Sequence, residues 1–94
     1  MKTVTMITMP GCPYCAKARR AVGELREEHP VYFDVPVDEI DETSEPDRLK
    51  PYEGKYYYVP TIFVDGEKIY EAQPGHDYDV IKDAVEVALA KAAE

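Results

Sequence analysis

The sequence has no long apolar run, only two cysteines and only two histidines among its 94 residues. A membrane-spanning helix needs about 20 consecutive apolar residues, so the first of these absences excludes one. Two cysteines form at most one pair, whereas a structural zinc site needs four ligands. Hydrophobic residues make up 45% of the chain, which is typical of a globular protein with one modest core. We therefore expect residues 1–94 to form a single domain.

Basic residues are also few, 11 against 19 acidic ones, which gives a formal net charge of −8. The acids are concentrated from Asp34 to Asp47, a segment with seven carboxylates and no lysine or arginine. Such a surface repels phosphate backbones and anionic lipid headgroups, so we expect neither a nucleic acid nor a membrane partner. The segment is either a surface for a basic protein partner or a solvated loop that aids solubility.

The first half of the chain predicts a strand, a helix and a second strand. The segment from Thr3 to Thr8 is rich in β-branched residues, which is typical of a strand. From Pro13, apolar residues recur every three or four positions, which predicts a helix that ends at Pro30. The second strand is predicted from Val31 to Val37. Because a helix joins the two strands, we expect them to pair in parallel.

The second half predicts a short helix and then a hairpin. Ser44 is the predicted cap of a short helix from Pro46 to Lys50, which Pro51 should end. The hairpin is predicted from two β-rich runs, Thr61 to Val64 and Glu67 to Tyr70, which flank an Asp-Gly dipeptide. This dipeptide readily adopts the positive φ angles of a tight turn.

A last helix is predicted near the end of the chain, with Asp77 or Asp79 as its cap. Its apolar stripe consists of Ile81, Ala84, Val85, Ala88, Leu89 and Ala92. The element order is therefore β-α-β-α-β-β-α. It predicts an α/β fold, a four-stranded mixed sheet with helices on both faces.

Both cysteines, Cys12 and Cys15, lie in the stretch MPGCPYCAKARR. A metal site would need further ligands, and neither His29 nor His76 stands at ligand spacing from the pair. A structural disulfide would close so short a loop that it would restrict the unfolded chain little. The neighbouring residues favour a redox pair, and we expect no bound metal.

Cys12 stands between the first strand and the first helix, at the predicted N-cap. Free amides and the positive end of the helix dipole favour the thiolate there. Lys17, Arg19 and Arg20 are expected to add a weaker positive potential. Cys12 is therefore the predicted nucleophile.

Pro13 suits the first helical turn, because its missing N–H group is not needed there. It leaves Cys15 one turn further on, on the core-facing side of the helix and within reach of Cys12. Cys15 is therefore the predicted resolving thiol, which attacks the mixed disulfide from behind. Tyr14 either packs on a bound thiol or is a partly exposed surface tyrosine.

Val59 and Pro60 come just before the first strand of the hairpin, where a proline does not interrupt the ladder. A cis peptide bond between them would turn the backbone of Val59 toward the cysteines. Its N–H and C=O groups would then be free to pair with an extended thiol substrate.

Three motifs together resemble the glutaredoxins of the thioredoxin superfamily. They are CPYC from Cys12 to Cys15, VPTIFVDG from Val59 to Gly66, and Gly-His-Asp from Gly75 to Asp77. The resemblance implies a thioredoxin-like fold, thiol-disulfide exchange with Cys12 as nucleophile, a cis Pro60, and glutathione as co-substrate with no bound cofactor.

The resemblance also implies where glutathione binds. Glutathione would lie along Val59 and place its γ-glutamyl carboxylate on the amides of His76 and Asp77, at the start of the last helix. Free N–H groups and the helix dipole independently favour an anion at such a position. Asp77 could instead be only a helix cap.

Three positions depart from the family pattern. Met9 stands where the family usually has a lysine or arginine, Pro74 replaces a glycine, and His76 replaces a small residue. Lys55 could supply a replacement cation, or it is an ordinary exposed lysine. A protonated His76 could instead aid glutathione binding below a pH of about 6.5.

The leading prediction is an enzyme that reduces protein disulfides or glutathione mixed disulfides, with glutathione as the electron source and a reduction potential of roughly −200 to −230 mV. The alternatives are a glutaredoxin-like donor reduced by thioredoxin reductase and a noncatalytic binding or metal-carrier module. Thioredoxin itself normally has a tryptophan where Gly11 stands. Pro13, which stiffens the site, disfavours the iron-sulfur cluster that some relatives hold.

The expected partners are glutathione and disulfide-containing proteins. The chain begins without an apolar segment followed by a cleavage site, so we expect a cytoplasmic, unprocessed protein. We expect it to be a monomer.

Overall fold

Four strands and two long helices make up most of the computed structural model, which describes residues 1–94. The strands are β1 (Val4–Thr8), β2 (Val37–Asp41), β3 (Thr61–Val64) and β4 (Glu67–Glu71), and the helices are α1 (Pro13–Glu28) and α2 (Tyr78–Ala93). A 3₁₀ helix, Pro30–Asp34, connects α1 to β2, and a second one, Pro46–Tyr52, lies between β2 and β3. The predicted order of elements is confirmed.

The strands form one mixed sheet in the order β2-β1-β3-β4. β1 pairs in parallel with β2, and β3 pairs antiparallel with both β1 and β4. Asp65 and Gly66 join β3 to β4 with φ angles of 48° and 86°, as the predicted hairpin turn requires. The C-terminal ends of β1 and β2 and the start of β3 therefore lie at the same end of the sheet.

The main core lies between the sheet and the two long helices. Val4 and Met6 of β1 and Ile62 of β3 face α1 and α2, which also pack against each other. The predicted stripe of α2 is buried there, except that Ala84 is only partly covered. The second 3₁₀ helix packs against β2 and contributes a ring to the opposite face, where Tyr52 lies 4.6 Å from the fully buried Phe63 between ring centroids.

The N-terminus of α2 has the cap that its sequence predicts. Asp77 has an extended backbone, and its Oδ1 accepts a hydrogen bond of 3.0 Å from the amide of Val80. A side-chain acceptor at this position satisfies one of the free amides of the first turn. Asp77 is the cap, and Asp79 lies inside the first turn.

The predicted strand from Val31 to Val37 is wrong, because most of this segment is the 3₁₀ helix and β2 begins only at Val37. The guanidinium of Arg26 donates to the carbonyls of Tyr32 and Val35, at 3.2 and 2.9 Å, and so holds the helical turn against α1. Pro36 has no N–H group to donate to a ladder, and its carbonyl accepts from Val4 where the pairing begins.

Part of the acidic segment is therefore β2, and not a loop. Ile40 is its only buried residue, since the strand lies at the sheet edge with its acids partly exposed. The carboxylate of Glu39 accepts from Thr8 at 2.8 Å and pairs with Arg19 at 2.6 Å. These partners satisfy a carboxylate that a strand would otherwise accommodate poorly.

Ser44 is not the cap of the second 3₁₀ helix, so that prediction is also wrong. The N-cap is Glu45, whose side chain makes no capping hydrogen bond to the helix. Ser44 instead belongs to a turn in which its amide and the amide of Thr43 both donate to Asp41 Oδ1. Pro51 also lies inside the helix, which continues to Tyr52, so it does not end the helix as expected.

No helix combines the length and the apolar character that crossing a membrane requires.

Candidate active site

The two cysteines lie at the start of α1, directly after β1. Gly11 has a φ angle of 73°, a left-handed conformation that turns the chain from the strand into the helix. Cys12 is the N-cap of α1, and Pro13 occupies the first turn. The Cys12 sulfur accepts a hydrogen bond of 3.1 Å from the amide of Cys15. Such a donor stabilises negative charge on the Cys12 sulfur.

The two thiols differ in their surroundings. Cys15 has no exposed surface, whereas Cys12 is 8% exposed, so Cys12 is the more accessible sulfur although it is largely covered. Burial and the hydrogen bond with Cys12 raise the pKa of Cys15 to about 12. Cys15 is therefore a neutral thiol at physiological pH. Both cysteines are free, and no group of three His, Cys, Asp or Glu side chains is placed to hold a metal ion.

The basic residues of α1 are mostly engaged elsewhere. Arg19 pairs with Glu39, and Arg20 pairs with Glu24 at 3.2 Å. Lys17 Nζ lies 5.3 Å from the centre of the Tyr14 ring. The start of the helix, with the amide of Cys15, is therefore the main source of positive potential at the Cys12 sulfur.

Val59 and Pro60 lie across from Cys12, and the peptide bond between them is cis. The Cys12 thiol donates to the carbonyl of Val59 at 3.8 Å between sulfur and oxygen. Pro60 is buried, and its carbonyl accepts from the amide of Ala72. The amide of Val59 has no partner within the chain. The backbone of Val59 is thus free for pairing beside the nucleophile.

The loop before α2 contacts the dithiol through Tyr14. The hydroxyl of Tyr14, a half-buried residue, accepts a hydrogen bond of 3.1 Å from the amide of Gly75. The structure therefore brings Gly75 next to the first turn of α1, as the resemblance to glutaredoxins requires.

The sequence comparison agrees with this geometry. The family model for Glutaredoxin matches residues 4–69, which include β1, both cysteines and the Val59–Pro60 bond. The chain belongs to the glutaredoxin family. No match is found among curated proteins.

The fold has a solved relative among the thioredoxins. A mutant thioredoxin from Halobacterium salinarum NRC-1 is similar to this chain with a TM-score of 0.56 and 26% sequence identity. The similarity covers 94% of this chain and 74% of that one. The fold is thus thioredoxin-like, and family and fold together support a thiol-disulfide oxidoreductase-like role.

The amides expected to bind a glutathione carboxylate are only partly free in this glutaredoxin-family chain. The amide of His76 donates to the carbonyl of Gln73 at 3.2 Å, which closes a turn. The amide of Gly75 is held by Tyr14, whereas the amide of Asp77 has no partner within the chain. One of the two expected donors at the start of α2 is therefore available without a change in the loop.

The ring of His76 is part of the same turn. Its Nδ1 lies 2.7 Å from the hydroxyl of Tyr70 and 3.3 Å from the amide of Gln73. A backbone amide only donates, so Nδ1 accepts and bears no proton in this arrangement. The Nδ1 atom of His76 is therefore already engaged within the loop.

Met9 and Lys55 lie on the segments that flank the dithiol. Met9, 39% exposed, presents an uncharged side chain three residues before Cys12. The side chain of Lys55 is exposed and has no hydrogen bond or ion pair within the chain, while its carbonyl accepts from Lys68. Lys55 is thus a free cation on the segment that leads to Val59.

Glu71 and Lys68, a pair that the sequence does not reveal, hold that same segment in place. Glu71, on β4, accepts hydrogen bonds from the amides of Tyr57 and Tyr58, at 2.9 and 2.8 Å, and pairs with Lys68. Lys68 and these amides hold the pKa of Glu71 at about 2. The contacts join residues 13 and 14 positions apart, so no local pattern signals them.

We expect Glu71→Gln to destabilise the protein by about 1–2 kcal/mol at pH 7, because it removes a charge held by one cation and two amides. Because the pKa of Glu71 is lowered in the folded protein, its stabilising contribution is fully present when the pH is above the ordinary pKa of a glutamate. It is lost as the pH falls toward about 2, so wild type and variant should converge in acid. Urea unfolding at several pH values measures the difference.

The control is Glu67→Gln on the same strand. Glu67 pairs with Lys91 at 3.2 Å, but its side chain is 62% exposed. An exposed pair contributes at most about 1 kcal/mol and often nothing measurable. Equal losses in the two variants would contradict a specific role of Glu71.

Proposed function

We propose that this protein is a glutathione-linked thiol-disulfide oxidoreductase in which Cys12 attacks and Cys15 resolves. The observation that carries the proposal is the asymmetric pair itself. Cys12 caps a helix and accepts from the amide of Cys15, while the buried Cys15 thiol stays protonated at its side. Attack by one sulfur and resolution by the other require this difference.

In the first step, the Cys12 thiolate attacks one sulfur of a substrate disulfide. A Cys12–substrate disulfide forms, and the other substrate sulfur leaves as a thiolate that takes up a proton. The charge and the hydrogen bond of Cys12 both raise the pKa of Cys15. In the mixed disulfide, Cys12 carries no charge. Its formation therefore removes one of the causes that raise the pKa of Cys15.

In the second step, Cys15 loses its proton and attacks the Cys12 sulfur, which releases the reduced substrate and leaves a Cys12–Cys15 disulfide. Two glutathione molecules then restore the dithiol. The first forms a mixed disulfide with Cys12, and the second attacks its glutathione sulfur, which yields glutathione disulfide and free Cys12. The two electrons given to the substrate are thus returned by glutathione.

The backbone of Val59 and the start of α2 support the binding part of the proposal. The free amide and the carbonyl of Val59 suit an extended peptide or glutathione beside Cys12. The free amide of Asp77 suits a carboxylate at a helix N-terminus. Tyr14, Pro60, Gly75 and His76 complete the proposed site around them. We further propose that the protein acts as a cytoplasmic monomer.

A second candidate function keeps the chemistry and replaces glutathione by a thioredoxin reductase as electron donor. The uncharged Met9 beside the dithiol favours it, as does the turn that occupies the amide of His76. Both features weaken a site for a glutathione carboxylate. Lys55 could compensate, because its ammonium group is free.

The test compares electron donors. The wild type is supplied with a glutathione mixed disulfide and, separately, with a protein disulfide. Electrons come either from glutathione with glutathione reductase or from thioredoxin reductase, and NADPH consumption is measured. We expect turnover with glutathione that is lost in Cys12→Ser. Turnover only with thioredoxin reductase would replace the first proposal by the second.

A noncatalytic module would behave differently. The wild type would show no turnover with either donor, and the Cys12→Ser variant would bind a partner protein as well as the wild type does.

A further inference from the structure

A groove with a volume of about 410 Å³ lies between the end of β2 and the segment that leads to Val59. We call it the acidic groove; its lining includes Glu42, Leu49, Glu53, Tyr56 and Tyr57. The amide of Glu42 bonds to the carbonyl of Thr8, the residue before Met9, and Tyr57 is two residues from Val59. The groove therefore opens at the end of the sheet where Cys12 lies.

The lining of the groove combines carboxylates with aromatic and apolar side chains and includes no lysine or arginine. Tyr56 donates to Glu42 at 2.8 Å, and burial together with Glu42 raises the pKa of Tyr56 to about 12. The tyrosine therefore remains a donor that holds the carboxylate of Glu42 in one position. A fixed carboxylate beside aromatic rings is a favourable site for a cation.

The ion pairs on this side of the molecule leave the groove carboxylates unneutralised. Asp38 and Glu45 both pair with Arg48, and Glu39 pairs with Arg19. Neither Glu42 nor Glu53 forms an ion pair with a basic residue. Two of the carboxylates without an ion pair thus lie in the groove, and a positively charged occupant complements them.

Tyr57 extends this surface toward the dithiol. It is 84% exposed and meets Tyr58 edge to face, with 4.9 Å between ring centroids. Its amide and that of Tyr58 are held by Glu71. A large ring held at the surface loses little entropy when a partner covers it, which is typical of binding surfaces.

We infer that the acidic groove binds a lysine or arginine side chain of a protein substrate whose disulfide lies at Cys12. The inference rests on the proposed function and specifies its substrate class. Tyr57 of the groove is two residues from Val59, whose carbonyl contacts Cys12. A peptide extended along Val59 advances about 3.3 Å per residue, so we place the basic residue about two positions from the substrate cysteine.

The experiment uses three matched peptides, each with one cysteine joined to 2-thiopyridine. The residue two positions from that cysteine is Lys, Ala or Glu. Attack by pre-reduced protein releases pyridine-2-thione, and its absorbance gives a second-order rate constant without any reductase. We expect the Lys peptide to react at least tenfold faster than the Glu peptide at low salt, with the difference shrinking at high salt.

The groove variant is Glu42→Gln with Glu53→Gln, in which the amide oxygen introduced in place of the Glu42 carboxylate can still accept from Tyr56. The matched control is Glu27→Gln with Asp83→Asn, two exposed helix residues without ion pairs, which changes the net charge equally. We expect the groove variant to lose most of the Lys-over-Glu preference and the control to keep it. Equal loss in both would show general attraction to a charged protein and overturn the inference.

Equal rates for all three peptides with the wild type would also overturn it, while the proposed function would stand. If Cys12 reacts with none of the peptides, including the Ala peptide, the proposed function itself fails. The Ala peptide thus separates the two failures.

Discussion

At pH 7.5, a small alkylating agent is expected to modify Cys12 at least a hundredfold faster than Cys15. With a pKa of about 12, Cys15 is a thiolate in only about one molecule in thirty thousand at this pH. A free cysteine with a pKa near 8.5 is about one-tenth thiolate. The higher intrinsic nucleophilicity of the more basic thiolate offsets this difference only by a factor of roughly 40.

Burial slows the modification of Cys15 further, because Cys15 has no exposed surface through which a reagent can approach. Labelling of Cys15 should also rise about tenfold per pH unit through the alkaline range, since its thiolate fraction does so below a pKa of about 12.

The measurement is peptide mapping by mass spectrometry after labelling with less than one equivalent of iodoacetamide. Low labelling is essential, because modification of Cys12 removes one of the groups that raise the pKa of Cys15. The same protein in guanidinium chloride should label at both cysteines about equally. Equal labelling of the folded protein would contradict the division of roles between the two thiols.

The elements that the sequence predicts correctly are those whose signals are local. Asp65 and Gly66 form the hairpin turn, and Cys12 caps α1 ahead of Pro13. In each case the residue types and the backbone conformation that they favour lie within a few positions of each other. Such features need no knowledge of the rest of the fold.

The position of β2 is not predicted, because two physical requirements compete in that segment. The apolar alternation from Val31 to Val35 suggests a strand, yet Val31 and Phe33 are 54% and 60% exposed. The strand lies instead where Val37 and Ile40 align with Val4 and Ile7 of β1. Pairing with β1 outweighs the low strand preference of the acids, which is a tertiary effect.

In the candidate site, too, some features are signalled by local sequence and others depend on contacts between distant parts of the chain. Cys12, Cys15 and Val59 are identified from short motifs, whereas the contact of Tyr14 with Gly75 joins residues 61 positions apart. The turn that occupies the amide of His76 is local, since it spans Gln73 to His76 around a Pro-Gly pair, and its turn signal was missed in the sequence. The sequence therefore indicates which residues carry the chemistry, and the structure shows which of their groups are already engaged.

Cys15→Ser is expected to trap the protein in a mixed disulfide with its substrate. In the wild type, Cys15 stands one turn from Cys12 and its amide already contacts the Cys12 sulfur at 3.1 Å. Attack by such a neighbouring group corresponds to an effective concentration far above that of any added thiol. A serine hydroxyl does not attack a disulfide, so reduction of a protein disulfide without glutathione should fall at least about a hundredfold.

The trapped adduct is detected by non-reducing electrophoresis and mass spectrometry after mixing with a small disulfide-bonded protein such as insulin. Cys15→Ala should give the same adduct, which excludes an effect of the serine hydroxyl, and Cys12→Ser should give none. Unchanged reduction by Cys15→Ser would mean that a second molecule resolves the intermediate. The burial of Cys15 would then serve only the packing of α1. An adduct that forms at Cys12 and persists until an external thiol is added would instead identify Cys15 as the group that releases the substrate.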